Sequence, residues 1–251
     1  MKSTTALGDL QIGEIPYVVG TISSAKSLME FAGQRINNLC DIVEVRLDEI
    51  GQEDDWLCRC REIETLGMPI ILTTRLQSEG GKWIQDGTSR MSVIGEALKF
   101  LAGVDVEFKS KIMPQVCEQA KALSKAVVVS FHDFEKTPSF EKLHSIATEA
   151  AKHGTIVKIS TMVKSQQDIA TLEKLLNSDM DVPICIIGMG AFGTRTRIAF
   201  PSLGSCLTYG YLDTPSAPGQ LSARMLTEQL RSLDPQYNQQ FIIRKEVLEF
   251  A

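Results

Sequence analysis

The sequence predicts a (β/α)₈ TIM barrel, from the number of short β-branched runs and the helical stretches between them. Eight runs recur along the 251 residues: YVVGTI (17–22), DIVEVRL (41–47), PIILTTR (69–75), VDVEF (104–108), AVVVSFH (126–132), TIVKISTM (155–162), VPICIIGM (182–189) and SCLTYGYL (205–212). Runs of this length, rich in Val and Ile, read as strands. Sustained strand–helix alternation argues for a parallel sheet with helices packed outside it. Eight such units in about 250 residues are the size of a barrel. A doubly wound open sheet competes, but no Gly-x-Gly-x-x-Gly turn follows the first strand, which weakens its dinucleotide-binding form.

Taken in order, residues 1–15, with most of TALGDLQIGEIP, read as an extra strand or short β-hairpin before the barrel, expected to hairpin onto the first barrel strand. Residues 16–251 are the barrel, so 1–251 read as one domain. Among the helices, SFEKLHSIATEAAKHG is representative: Ser139 caps its start, Glu141 lies in the first turn, apolar residues follow at helical spacing, and Gly154 stops it. SQQDIATLEKLLNS and SAPGQLSARMLTEQLRSL repeat the pattern. The loop LQSEGGKWIQDGTS and the segment before SAPGQ have the glycine-rich character of elements that close over a substrate.

Composition excludes several function classes. Hydrophobic residues are 43% and charged residues 23% of the chain, and the net charge is -5, which with no local Lys/Arg cluster argues against nucleic acid. No run approaches membrane-spanning length and the N-terminus lacks a signal peptide's apolar core, so a cytoplasmic protein is expected. The six cysteines match no zinc spacing. Three histidines in unlike settings make no metal site. The glycines of IIGMGAFGTRTR form no Walker loop.

Strand periodicity sorts the polar residues by face. Glu44 and Arg46 oppose Val43 and Val45; Asp105 and Glu107 oppose Val104 and Val106; Ser130 and His132 oppose Val129 and Phe131; Lys158 shares a face with Ile156 and Ser160. Parallel sheets are covered on both faces, so this polar row points into the barrel. Its charged members gather toward the C-terminal strand ends, where barrel active sites lie. Arg46, Arg75, Lys158 and Arg197 would therefore converge on a small anionic substrate, with Arg forks for a carboxylate. A web of Glu–Arg pairs closing the barrel top, with partners Glu44, Glu79 and Glu107, reads equally from these residues.

A partly desolvated lysine among other cations becomes a nucleophile toward carbonyls, and His132, one strand earlier, suits a general base and acid. Alone, Lys158 reads as an ion-pair partner of Glu107 and His132 as a hydrogen-bonded core residue. Together they favour chemistry.

With these residues in place, the chain resembles type I 3-dehydroquinate dehydratase, the Schiff-base dehydroquinase of the shikimate pathway. EVRLD, TTRLQSEGG, SFHDFEKTP, VKISTM, GTRTR and SAPGQ carry the resemblance, from about Tyr17 to the C-terminal helix. It implies a cytoplasmic barrel enzyme, a homodimer, with no metal or nucleotide cofactor, that loses water from 3-dehydroquinate. It implies that Lys158 forms the imine, that His132 moves the protons, that Glu79 assists the histidine, and that Arg197 grips the substrate carboxylate. Glu44, Arg46, Arg75, Ser216 and Gln220 match positions that bind or cover the ring hydroxyls, with Thr21 a looser match and Met189 in the pocket wall. Ile187 stands where a second methionine is expected, Thr196 where serine is common, and Ser160 where alanine is frequent. A class I aldolase-type lyase using Lys158, and a non-catalytic binding barrel, are the rival readings.

Overall fold

The computed structural model describes residues 3–52, 55–215 and 219–250, with side chains to 246. Its ten strands are β1 (Thr5–Leu7), β2 (Leu10–Ile12), β3 (Tyr17–Ile22), β4 (Ile42–Arg46), β5 (Ile70–Thr73), β6 (Gly103–Glu107), β7 (Ala126–Asp133), β8 (Ile156–Met162), β9 (Ile184–Met189) and β10 (Leu207–Tyr211). The last eight form one parallel sheet in the order β10-β3-β4-β5-β6-β7-β8-β9, with helices between consecutive strands. The seam between β9 and β10 is bridged ahead of the β10 ladder: Cys206 N donates to Ile184 O at 2.9 Å, and Ile186 N to Ser205 Oγ at 3.0 Å. The sheet is thus a nearly closed (β/α)₈ barrel.

The predicted alternation places the core in two shells. Val43, Val45, Val104, Val106, Val127, Val129, Val157 and Ile159 pack outward against the helices. Val19, Ile42, Ile71, Val128, Ile156, Cys185 and Leu207 pack inside the barrel near the strand starts. The expected N-terminal hairpin forms, but it does not extend the barrel sheet. Among the strands, β1 and β2 pair with each other, Thr5 opposite Ile12, and not with β3. Leu7, Leu10 and Ile12 join the interior shell, so the hairpin plugs the barrel floor, where apolar burial stabilises it more than one further edge pairing would. With the floor filled, polar side chains have only the opposite end to line.

Helix starts follow the capping chemistry read from sequence. Ser139 Oγ accepts from Lys142 N, and Ser165 forms a reciprocal capping box with Asp168. The last predicted helix begins later than expected: Ser222 caps Ala223–Leu233, because Gly219 sits at φ +79, outside the helical region. Among the described residues no helix is long and apolar enough to cross a membrane.

Candidate active site

The C-terminal strand ends enclose a cavity of about 150 Å³, and every expected site residue within the described part lines it. Ser216 lies outside the described residues. Lys158 sits at the bottom, 4% exposed. Its Nζ donates to Asp105 Oδ2 at 2.8 Å, stands 3.9 Å from Glu44 Oε1, and lies 4.2 Å from the centre of the Tyr209 ring. Lys158 is thus ion-paired, as the alternative reading had it, but with Asp105 in place of Glu107. Interior residues of a barrel meet in layers drawn from alternate strands, and β4, β6, β8 and β10 supply Glu44, Asp105, Lys158 and Tyr209 to one such layer. Glu107, two residues beyond Asp105 at the end of β6, lies outside this layer.

Glu44 is fixed from both sides, by Thr21 Oγ1 on Oε2 at 2.9 Å and Thr73 Oγ1 on Oε1 at 2.8 Å. Asp105 accepts from Arg75 Nη2 at 2.7 Å and from Ser130 Oγ at 2.7 Å. Burial alone would raise its carboxyl, but Arg75 and Lys158 hold it well below the usual carboxylate range.

His132 faces the cavity from β7. Its backbone N donates to Glu79 Oε2 at 3.1 Å, and its Nδ1 lies 3.0 Å from the same oxygen. Burial, then Arg75 and Lys158, push the imidazole well below its ordinary value, so it is neutral. Nδ1–H directed at Glu79 leaves the Nε2 lone pair for a substrate proton. Glu79 Oε1 is buried with no hydrogen-bond partner among the described residues. Its desolvation raises the carboxyl from 4.5 to about 7. A carboxyl raised on folding stabilises fully below its unfolded value, and that contribution is lost as pH rises from 4.5 to about 7. Glu79→Gln is therefore expected to melt with the parent protein near pH 4 and above it at pH 8. An equal shift in Tm at both pH values would contradict this.

The cations divide into two groups. Arg46 is held by Asp48 through Nε and Nη2 at 2.9 and 2.8 Å, with Glu49 at 3.5 Å. Arg75 is held by Asp105 and, at 3.1 Å, Glu107. For these two the ion-pair web holds even as they line the cavity. Arg197 differs: Nη1 donates to Tyr209 O at 2.8 Å, and burial lowers the guanidinium to about 10 with no carboxylate offsetting it. A buried cation without a counter-charge among the described residues is suited to an anionic ligand. Thr196 explains how it is placed. Its Oγ1 accepts from Gly188 N at 2.9 Å and donates to Gly193 O at 2.7 Å, clamping the helix Thr196–Leu203 onto the end of β9. A Cβ on Gly193 would strike the Gly188 backbone, so these glycines serve close packing. The hydroxyl that serine would supply is retained.

Met189 and Ile187 give the cavity an apolar wall and Gln220 completes its rim. Asp105, Tyr209 and Asp48 were given no role from sequence, although Asp105 shares its face with Glu107 and Tyr209 shares the inward face of β10 with Leu207. Asp48, at the end of EVRLD, also accepts from Arg75 N and Lys82 N, both at 3.1 Å, and so pins the start of the loop that carries Glu79.

Comparison with known proteins points one way. The Type I 3-dehydroquinase family model matches residues 18–236. The 3-dehydroquinate dehydratase of Methanothrix thermoacetophila is 38% identical over 195 residues, 77% of this chain and 82% of that protein. That of Methanocella arvoryzae is 33% identical over 219 residues, 87% of this chain and 97% of that protein. Among solved structures, the type I enzyme of Clostridium difficile with covalently modified comenic acid superposes with a TM-score of 0.83 at 26% identity, covering 93% of this chain and 98% of that one.

Proposed function

This chain belongs to the type I 3-dehydroquinase family, and from that premise we propose that it dehydrates 3-dehydroquinate to 3-dehydroshikimate through an imine on Lys158. The observation that carries the reading is Lys158 and the neutral His132 imidazole lining one cavity. In this reading Arg197 binds the substrate carboxylate, and Glu44, Arg46, Arg75, Gln220 and Ser216 orient or cover the ring hydroxyls. The Lys158 ammonium gives up a proton and the amine attacks the ring ketone; the carbinolamine hydroxyl takes that proton and leaves as water, giving a protonated imine. That imine withdraws electrons from the adjacent carbon, whose proton passes to His132 Nε2. The electron pair left behind expels the hydroxyl on the next carbon, which takes the proton from His132 and departs as water on the same face. Hydrolysis of the imine returns the amine. Glu79, with its carboxyl near 7, keeps His132 in the tautomer that presents Nε2.

The same reading makes the barrel a single catalytic domain, acting as a cytoplasmic homodimer on a small anionic substrate. Motif order and the site geometry support the catalytic part of it, as does the structural neighbour solved with covalently modified comenic acid. The direct test is the ultraviolet absorbance of the conjugated ketone formed on dehydration. Turnover of 3-dehydroquinate is expected. Folded protein that binds it without absorbance change would leave a binding barrel, and cleavage of a carbon–carbon bond would make it an aldolase-type lyase.

A further inference from the structure

We infer that Arg90, which does not reach the cavity, is a positioning residue that acts through Glu107 and Arg75 on the Asp105–Lys158 pair. Arg90 rises from the first turn of the helix Thr88–Leu98 and its side chain is completely buried, at 0% exposed. A buried guanidinium is tolerated only where its donors are used and its charge is met. Nε donates to Thr74 O and Thr74 Oγ1, both at 3.0 Å. Nη1 donates to Asp86 Oδ1 at 3.1 Å and to Ser110 Oγ at 3.2 Å. Nη2 pairs with Glu107 Oε2.

Glu107 is equally buried and divides its oxygens between two arginines. Oε2 faces Arg90, while Oε1 accepts from Leu76 N at 2.9 Å and stands 3.1 Å from Arg75 Nη1. Arg75 directs its other hydrogens to Asp105 Oδ1 and Ser130 Oγ, each at 2.7 Å. The second oxygen of Asp105 holds the Lys158 amine at 2.8 Å. Charges therefore alternate without a break from Arg90 through Glu107, Arg75 and Asp105 to Lys158. Without Arg90, Arg75 is the remaining cation on Glu107 among the described residues, and it is drawn further onto that carboxylate. Arg75 then withdraws from Asp105, and Asp105 holds Lys158 as a tight ammonium pair. With Arg90 in place, Arg75 remains shared and the amine can be released to attack.

This inference rests on the imine reading of Lys158, and a double-mutant cycle on the full-length protein tests it separately. Arg90→Gln removes the charge and is expected to lower kcat by on the order of 10²-fold, the scale for a distant change that misplaces reacting groups. Adding Glu107→Gln removes the stranded carboxylate and should recover at least about tenfold of that loss, as coupled buried charges do. Arg90→Lys, which keeps a cation on Glu107, should stay within about threefold of the parent kcat although it melts lower. A purely structural Arg90 would lower Tm in all three variants and leave kcat of the folded protein unchanged. That result, or an Arg90→Gln/Glu107→Gln protein no faster than Arg90→Gln, would overturn the inference. Borohydride trapping of the parent protein reads the imine itself: active protein without a Lys158 adduct would defeat that reading, while the cycle in kcat still decides whether Arg90 positions the site.

Discussion

Replacing Lys158 with Ala is expected to lower kcat for dehydration by roughly 10⁴-fold or more, the scale seen when a covalent nucleophile is removed. The expectation comes from position rather than burial alone. Lys158 is the one member of its layer able to attack a carbonyl: Glu44 and Asp105 are carboxylates, and burial raises the Tyr209 phenol well above its ordinary value. The substitution also leaves Asp105 with only Arg75 and Ser130, so a loss of up to about 3 kcal/mol of stability is expected. Kinetics must therefore be compared at a temperature where the variant is folded. A folded Lys158→Ala protein retaining more than about a hundredth of the parent kcat would make the lysine structural, since the remaining groups offer acid–base help alone.

The second large effect is at His132. His132→Asn keeps a side-chain donor for Glu79 but cannot exchange a proton, and kcat is expected to fall by about 10²–10⁴-fold. KM should change little, because Arg197 and the hydroxyl-binding residues are untouched. Since burial and the neighbouring cations hold the imidazole neutral, the His132 contribution to the parent's stability should fall as pH drops below the ordinary histidine value of 6.5. His132→Asn should not share that loss. A rise in KM with kcat preserved would move His132 from proton transfer to substrate binding.

Much of this site was legible from alternation. Once eight strands separated by helices imply both faces covered, Glu44, Arg46, His132 and Lys158 must point inward, and they do. What the pattern does not contain is the tilt of the strands. The sequence offered Glu107 as the partner of Lys158, whereas the partner is Asp105, two residues earlier on the same strand. The hairpin shows a related limit: TALGDLQIGEIP reads as strand, but only the barrel's open floor tells Leu7 and Ile12 where to bury. Arg90 left no signal, because an arginine in the first turn of a helix reads as solvated. Its role depends on a buried carboxylate contributed by another strand.

The most direct test is mass spectrometry of the protein incubated with 3-dehydroquinate and borohydride, beside Lys158→Ala. A stable adduct on the peptide containing Lys158, absent from the variant, is the predicted result. An active parent protein with no adduct, or an adduct on another lysine, would contradict imine chemistry at Lys158.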